Sequence, residues 1–302
     1  MNFLQYETLL KILECGTLSK AAEELGYSQS GLSRMLNSME EELGIRLIER
    51  DRSGVRLTPE GGLLIPYIRN VVLAQRNMDQ AVASINGLKL GLIRMGTFNS
   101  ASAQWLPSMI KEFTDKYPDV RFELIHGTDE YTRGLAESGR VDLAFTDYPT
   151  KADIEEEFLI SDPIVAIFAS DDPHAERDSI TLKELEDLPY VALYEGVDDE
   201  ITRLLTVNNI ELNPRFIESD DHAVVAMVEQ GLGTSLMSEM MLQGFNADIK
   251  MVPLDPPADR KIGIGYRDKE HLSLVARVFK DHVKDWIYRH YDEDQTKERG
   301  RR

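Results

Sequence analysis

The apolar positions of the first sixty residues recur at helical spacing in three short runs separated by glycines. Residues 3–15 form the first run, and 19–25 the second, which ends at Gly26. A third run opens at Ser28, so two helices are joined by a three-residue turn containing glycine. In the third helix Leu32, Met35, Leu36 and Met39 share one apolar side that has to pack inward. The opposite side is polar: Gln29, Ser33 and Asn37 lie four apart, with Ser30 and Arg34 in a parallel row. After Gly44 two short apolar runs flank Ser53-Gly54, the pattern of a hairpin, and carry Arg50, Arg52 and Arg56.

The pattern then lengthens. Thr58-Pro59 supplies a capping hydroxyl and a proline at the first helical position, and no strong stop follows before Gly87. Leu64, Ile68, Val71, Gln75, Met78, Val82 and Ile85 are spaced alternately four and three apart, a heptad seam with one polar member, which expects a second copy of the helix. Pro66 falls in the second turn and should bend the helix near its start.

From residue 88 strands alternate with helices. LKLGLIRM, VRFELIH and VDLAF read as strands with helices at 105–116 and 130–138 between them, an order that implies a parallel sheet. IVAIFAS, YVALY, RFIES and TSLM form a second set, with helices near 181–188, 199–208 and 222–230. KIGIGYR and a long amphipathic helix at 273–291 return to close the first set. The expected fold is α+β and multi-domain: an N-terminal winged helix-turn-helix (1–58), a long linker helix (59–87), and a C-terminal two-lobed α/β domain of the periplasmic-binding-protein-like kind. Its first lobe spans 88–162 and 267–292, its second 163–266, and 293–302 is a tail.

The polar strip on the third helix suits the major groove of DNA, where amides read adenine, arginine reads guanine, and the helix-start groups at Ser28 hold phosphate. A lone polar helix face is ordinarily wet surface. Here it is followed in the right order by a basic wing, which favours DNA. Candidate DNA contacts are therefore Ser28, Gln29, Ser30, Ser33, Arg34, Asn37, Arg50, Arg52 and Arg56. The run AAEELGYSQSGLSRMLNSMEEELGIRLIER, with the aromatic-led first helix and the RLTPEG exit, resembles the N-terminal domain of the LysR-type transcriptional regulators. That resemblance implies groove contacts by Gln29, Ser33 and Arg34 and a minor-groove or backbone contact by Arg52. It also implies a dyad-symmetric T-N11-A type site, a dimer of dimers, and a small-molecule effector held between the two lobes. Ser30 and Ile48 stand where the family often has proline and phenylalanine.

Charge complicates this picture. The 302 residues carry a formal net charge of −19, whereas phosphate binding needs cations. Residues 1–88 hold 9 Lys and Arg against 11 Asp and Glu, and the other 214 hold 25 against 42, so most of the acidity lies outside the DNA-reading part. Non-specific binding should accordingly be weak. Cys15 is the only cysteine, which rules out internal disulfides and multi-cysteine zinc sites and points to a small buried apolar residue. The six histidines have no metal-ligand spacing, HExxH and GxSxG are missing, and EQGLGTSLM lacks the third glycine of a dinucleotide loop. No catalytic residue, metal or cofactor is expected. With no run of about 18 apolar residues and an acid-interrupted start, no membrane partner is expected either, and the location should be cytoplasmic.

In open α/β sheets the ligand sits beyond the C-terminal strand ends. The loops there offer Thr97, Asn99, Ser100, Ser102, Thr128 and Thr146 in the first lobe, and Tyr194, Glu195 and Ser219 in the second. All but Thr97 are candidate effector contacts, although serine and threonine also favour helix caps on their own account. Asp129, Asp147, Glu195 and 198–200 weigh against a highly charged anion, while Arg133 and Arg203 could anchor one carboxylate; solvated surface is the ordinary reading of all of these. Two functions follow: a regulator whose partners are double-stranded DNA, an effector, itself and RNA polymerase, or a solute-binding protein whose N-terminal helices serve assembly only.

Overall fold

The computed structural model describes residues 2–51, 54–85, 91–194, 200–270 and 272–296. The chain divides into two compact units, Met1–Leu90 and Gly91–Arg302.

The first unit is three helices, a two-stranded wing and a long helix. α1 (Phe3–Cys15) is closed by a capping box at Asn2 and Gln5 and by left-handed Gly16. α2 (Leu18–Leu25) starts on the Thr17 side chain and stops at left-handed Gly26, and α3 (Gln29–Leu43) starts on Ser28 and stops at Gly44. Each end is thus written locally: a short side-chain oxygen accepts from an otherwise unpaired N–H, and glycine turns the chain out of the helix. β1 (Ile48–Asp51) pairs antiparallel with β2 (Gly54–Leu57). At Gly54, φ is 128° and a Cβ would lie 2.5 Å from the Gly16 carbonyl oxygen, so only glycine lets the wing approach the end of α1 this closely. Leu9, Ile12, Leu32, Leu36 and Met39 form the core with Leu47 and Ile48.

α4 (Pro59–Ile85) opens where Thr58 Oγ1 accepts from Gly61 N at 2.9 Å, and it runs as helix through Pro66. Ile65 and Ile68 are buried in the core of the winged domain and Leu64 packs against it. This corrects the start of the seam: Leu64 and Ile68 are spent inside their own domain, because residues near the helix start face α1. The exposed apolar side is instead Leu63, Tyr67, Val71, Met78 and Val82. Gln75 is half-buried and donates to Asp79. The Ile85 side chain lies outside the described residues.

The second unit holds β3 (Gly91–Thr97), α5 (Asn99–Gln104), α6 (Leu106–Lys116), β4 (Val120–His126), α7 (Asp129–Glu137), β5 (Leu143–Asp147) and β6 (Glu155–Ala169). Then follow α8 (Leu182–Leu185), β7 (Tyr190–Leu193), α9 (Glu200–Val207), β8 (Pro214–Glu218), α10 (Asp221–Glu229), β9 (Ser235–Ser238) and α11 (Glu239–Leu242). β10 (Ile249–Tyr266), α12 (Leu274–His290) and α13 (Glu293–Thr296) complete it. One six-stranded sheet runs β4-β3-β5-β10-β6-β9. It is mixed rather than all parallel: β3 is parallel to β4 and β5, while β6 and β10 run antiparallel to each other for most of their length.

These two long strands serve both lobes. The first halves of β10 and the second halves of β6 and its neighbour β9 belong to the second lobe, joined to β7 and β8 by a bridge between Tyr190 and Thr234. The register breaks between Pro253 and Ala258, where two prolines that cannot donate to a ladder are set. By Ile262, paired with Asp147, β10 is already back in the first lobe, four residues before the 266 boundary. The lobe cores are distinct. Trp105, Phe145, Phe113 and Phe279 centre the first, and Phe168, Leu185, Leu236 and Val224 fill the two faces of the second.

α12 is fastened to the first lobe by charge as well as by packing. Glu157 on β6 accepts from Lys280 and Lys284 of α12 and from the Tyr266 hydroxyl. Burial pushes the Glu157 carboxyl up, but the two ammonium groups outweigh it and hold it at about 2. A carboxyl lowered from its ordinary value stabilises the fold above that value and loses the contribution as pH falls through the window from about 4.5 towards 2. A quarter of the Glu157 side chain still meets solvent, which screens the pair. Glu157→Gln should therefore cost about 1 kcal/mol at neutral pH and flatten acid unfolding in that window, read by melting curves at stepped pH.

Candidate functional site

Two places bring polar groups together, one in each unit. In the first, α3 has Leu32, Leu36 and Met39 buried and Met35 at the edge, while Gln29, Ser30, Arg34 and Asn37 are exposed and Ser33 is half-buried. Ser28 is used at the helix start: its Oγ accepts from Gly31 N at 3.1 Å and lies 3.2 Å from Ser30 Oγ. The wing is tied to this helix at two heights. Glu40 Oε1 accepts from Leu47 N at 2.7 Å and Ile48 N at 3.2 Å, and Arg50 Nη1 donates to Ser33 Oγ at 3.0 Å. Arg50 thus stands beside the exposed row rather than on a separate flap. Arg56 is exposed on β2; Arg52 lies outside the described residues. Beside the C-terminal end of α3 a hollow of about 740 Å³ is lined by Glu40, Glu41 and Glu49 as well as Arg46 and Arg50, so the surroundings of the face repel phosphate as much as attract it. Cys15 is half-buried, not fully enclosed. Burial and the neighbouring Glu24 push its thiol up, which leaves little thiolate.

The second place is the cleft between the two lobes of the second unit. Residues expected as a loop after the first strand form α5, because the small residues of NSASAQ are compatible with a helical turn although they lack an apolar period. Asn99 and Ser100 on this helix and Ser219, Asp220 and His222 at the start of α10 line one hollow of about 740 Å³. Asn99 Oδ1 is 2.6 Å from His126 Nε2, and Ser102 Oγ is 3.0 Å from the buried Thr97 hydroxyl. Asp220 is spent as the cap of α10, accepting from His222 N and Ala223 N. Thr128 caps α7 and is exposed. Tyr194 is exposed at the end of β7, and Glu195 lies outside the described residues.

Thr146 is a correction. It is fully buried, and its hydroxyl has no hydrogen-bond partner among the described residues. Alternation along β5 puts it on the side of Ala144, which packs with Leu135 and Ala136 of α7. An effector reaching the strand ends would not meet it there.

A charged cluster crosses the cleft, and Asp129, Arg133 and Asp147, expected from sequence as solvated surface, are largely buried in it, whereas Arg203 stays partly exposed. Arg260 of β10, 6% exposed, donates from Nε to Asp162 Oδ2 at 2.9 Å and from Nη2 to Ser100 Oγ at 2.7 Å. Its Nη1 lies 3.3 Å from Glu200 Oε1 on α9, and its guanidinium sits 5.2 Å over the Phe98 ring. Asp162 Oδ1 also accepts from Met240 N. Next to this, Arg203 of α9 pairs with Asp147 at the end of β5. Asp129 accepts from Asp147 N at 2.7 Å and from Arg133 at 3.0 Å. Burial pushes the Asp147 carboxyl up, and the charge of Asp129 adds to it against the pull of Arg203. Asp129 is pushed up by burial too, opposed by the Asp147 N–H and Arg133. Arg260 and Asp162 carried no local sequence signal, since Arg260 stands between Asp259 and Lys261 in a charged stretch that reads as surface.

Comparison with known proteins identifies the domains that carry these two places. Residues 3–62 match the model of the bacterial regulatory helix-turn-helix protein, lysR family, and residues 86–287 match that of the LysR substrate binding domain. The HTH-type transcriptional regulator YvbU of Bacillus subtilis is 30% identical, with 94% of this chain and 98% of YvbU aligned. The HTH-type transcriptional activator CmpR of Synechocystis is 25% identical over 92% of this chain and 93% of its own length. Full-length OxyR C199D from Pseudomonas aeruginosa shares the fold with a TM-score of 0.77, at 21% identity and 99% coverage of both chains. The molecule is therefore a DNA-binding transcriptional regulator built from a winged helix-turn-helix and an effector-binding domain. It belongs to the LysR family. A solute-binding protein that uses its N-terminal helices for assembly alone is set aside by the match over residues 3–62. Among the described residues no helix is long and apolar enough to cross a membrane.

Proposed function

We propose that this regulator reads a dyad-symmetric operator with Gln29, Ser33, Arg34 and Asn37 in the major groove. Ser28 and Ser30 hold phosphate at the helix start, and Arg50, Arg52 and Arg56 reach the adjoining backbone or minor groove. The observation that carries this is the exposed polar row of α3 backed by Leu32, Leu36 and Met39, with Arg50 hydrogen-bonded into it. A helix whose reverse side is core cannot turn its reading face away from the duplex.

Two copies join through the outer side of α4, and pairs of pairs form a tetramer. A small molecule binds between the lobes, against Asn99, Ser100, Ser102 and Thr128 on one side and Tyr194, Glu195 and Ser219 on the other. Its arrival changes the spacing of the DNA-reading units and thereby the access of RNA polymerase to the promoter, in the cytoplasm. Nuclease footprinting with and without a metabolite panel tests the proposal. A protected site with two symmetric half-sites, changed in extent by at least one compound, is expected. Uniform protection of any duplex at moderate salt would sink it.

A further inference from the structure

The lobe-crossing cluster assigns a chemical class to the effector, an inference that rests on the cleft reading above. Three guanidinium groups on three elements, Arg133 on α7, Arg203 on α9 and Arg260 on β10, each meet a carboxylate of the protein itself. The Asp147 pair ties one lobe to the other, since it ends β5 in the first lobe and Arg203 belongs to α9 in the second, and Arg260 makes a second tie between Ser100 and Glu200. Asp147 and Arg203 differ in exposure. The Arg203 side chain is 37% exposed and Asp147 only 13%, so an incoming molecule meets the arginine first.

We propose that Arg203 is the anion receptor of the cleft, that Asp147 occupies it as an internal stand-in, and that the effector is a monocarboxylate which displaces Asp147 and unties the lobes at that point. Charge conservation follows from the neighbours. The charged groups acting on Asp147 are Asp129 on α7, Arg203 on α9 and Arg260 on β10, while Arg133 and Glu200 act on its neighbour Asp129. Once Arg203 turns to the ligand, Asp147 remains a buried carboxylate beside Asp129, and it takes up a proton from solvent. One anion and one proton enter together. A cationic ligand has no comparable route, because each carboxylate here is already covered by a guanidinium.

The test uses the full chain with acetate, pyruvate and benzoate as probes, beside uncharged and cationic metabolites of similar size. Titration calorimetry in two buffers of different ionisation heat at one pH should show uptake of close to one proton with each carboxylate that binds. Asp147→Asn should tighten that binding about tenfold and remove the proton uptake, and Arg203→Gln should abolish binding while melting curves confirm that both variants fold. For the lobes, spin labels at Lys111→Cys on α6 and Lys183→Cys on α8, in a Cys15→Ser background, report the distance between them. It should lengthen or broaden in Asp147→Asn and in Arg203→Gln. An unchanged distance in both variants overturns the clasp. Carboxylates that bind without proton uptake, or that bind neither the parent nor Asp147→Asn, overturn the anion assignment. If an uncharged or cationic compound binds in that last case the cleft reading stands; silence across the whole panel overturns the cleft reading too.

Discussion

Replacing Gln29 and Arg34 together by alanine is expected to lower affinity for the operator by more than about 30-fold while leaving the protein folded. Both side chains are exposed on α3 and neither belongs to the core of the winged domain, so their loss removes no packing. A well-placed amide or guanidinium contact to a base edge contributes about 1–3 kcal/mol of discrimination, and two of them are lost in each half-site. Binding to random duplex should change far less, because only one cationic side chain is removed per copy and the salt slope should move by about one unit per bound copy at most. Competition binding at two salt concentrations separates these outcomes. Equal losses on operator and random DNA would show that α3 contributes charge and not reading. Leu36→Ala is the contrasting variant: it opens a cavity in the core and should cost about 2–5 kcal/mol, which weakens every kind of binding through unfolding.

The winged unit was legible almost to the residue because its signals are local. Thr17, Gly26, Ser28, Gly44 and the Thr58-Pro59 pair each start or stop a helix through a hydrogen bond or a backbone angle within three or four positions. What escaped the sequence is set by distant partners. β6 and β10 are long continuous strands, whereas only IVAIFAS and KIGIGYR read as strands from sequence, since nothing there says that a register shift between Pro253 and Ala258 will absorb the intervening prolines. Arg260 meets Asp162 across 98 positions and Ser100 across 160, far beyond any periodicity. Thr146 was misplaced because a strand end was equated with a cleft surface, whereas alternation alone decides which side a residue faces. The seam on α4 shows a subtler limit. A spacing of four and three marks the apolar positions without saying what covers them, and the winged domain itself covers Leu64 and Ile68.

That division of α4 sharpens the other large effect. Val71→Asp is expected to leave the chain monomeric at micromolar concentration. Val71 is 47% exposed in the single chain and continues a stripe with Leu63, Tyr67, Met78 and Val82, each 49% exposed or more. Five large apolar side chains along one side of one helix form a patch that a soluble surface ordinarily hides against a partner, and a self-complementary helix is satisfied by a second copy. An aspartate in the middle of such an interface would be buried without a counter-charge, at a cost of several kcal/mol. Operator affinity should fall with it by about two to four orders of magnitude, because two half-sites held by one dimer act at high effective concentration and two monomers do not. Circular dichroism should be unchanged, since the position is open to solvent in the monomer. Val72→Asp, one residue along and 2% exposed, should instead destabilise the fold itself. Light scattering on the two variants distinguishes an interface from a core: a Val71→Asp protein that still sediments as the parent oligomer would move the self-association of this regulator away from α4 altogether.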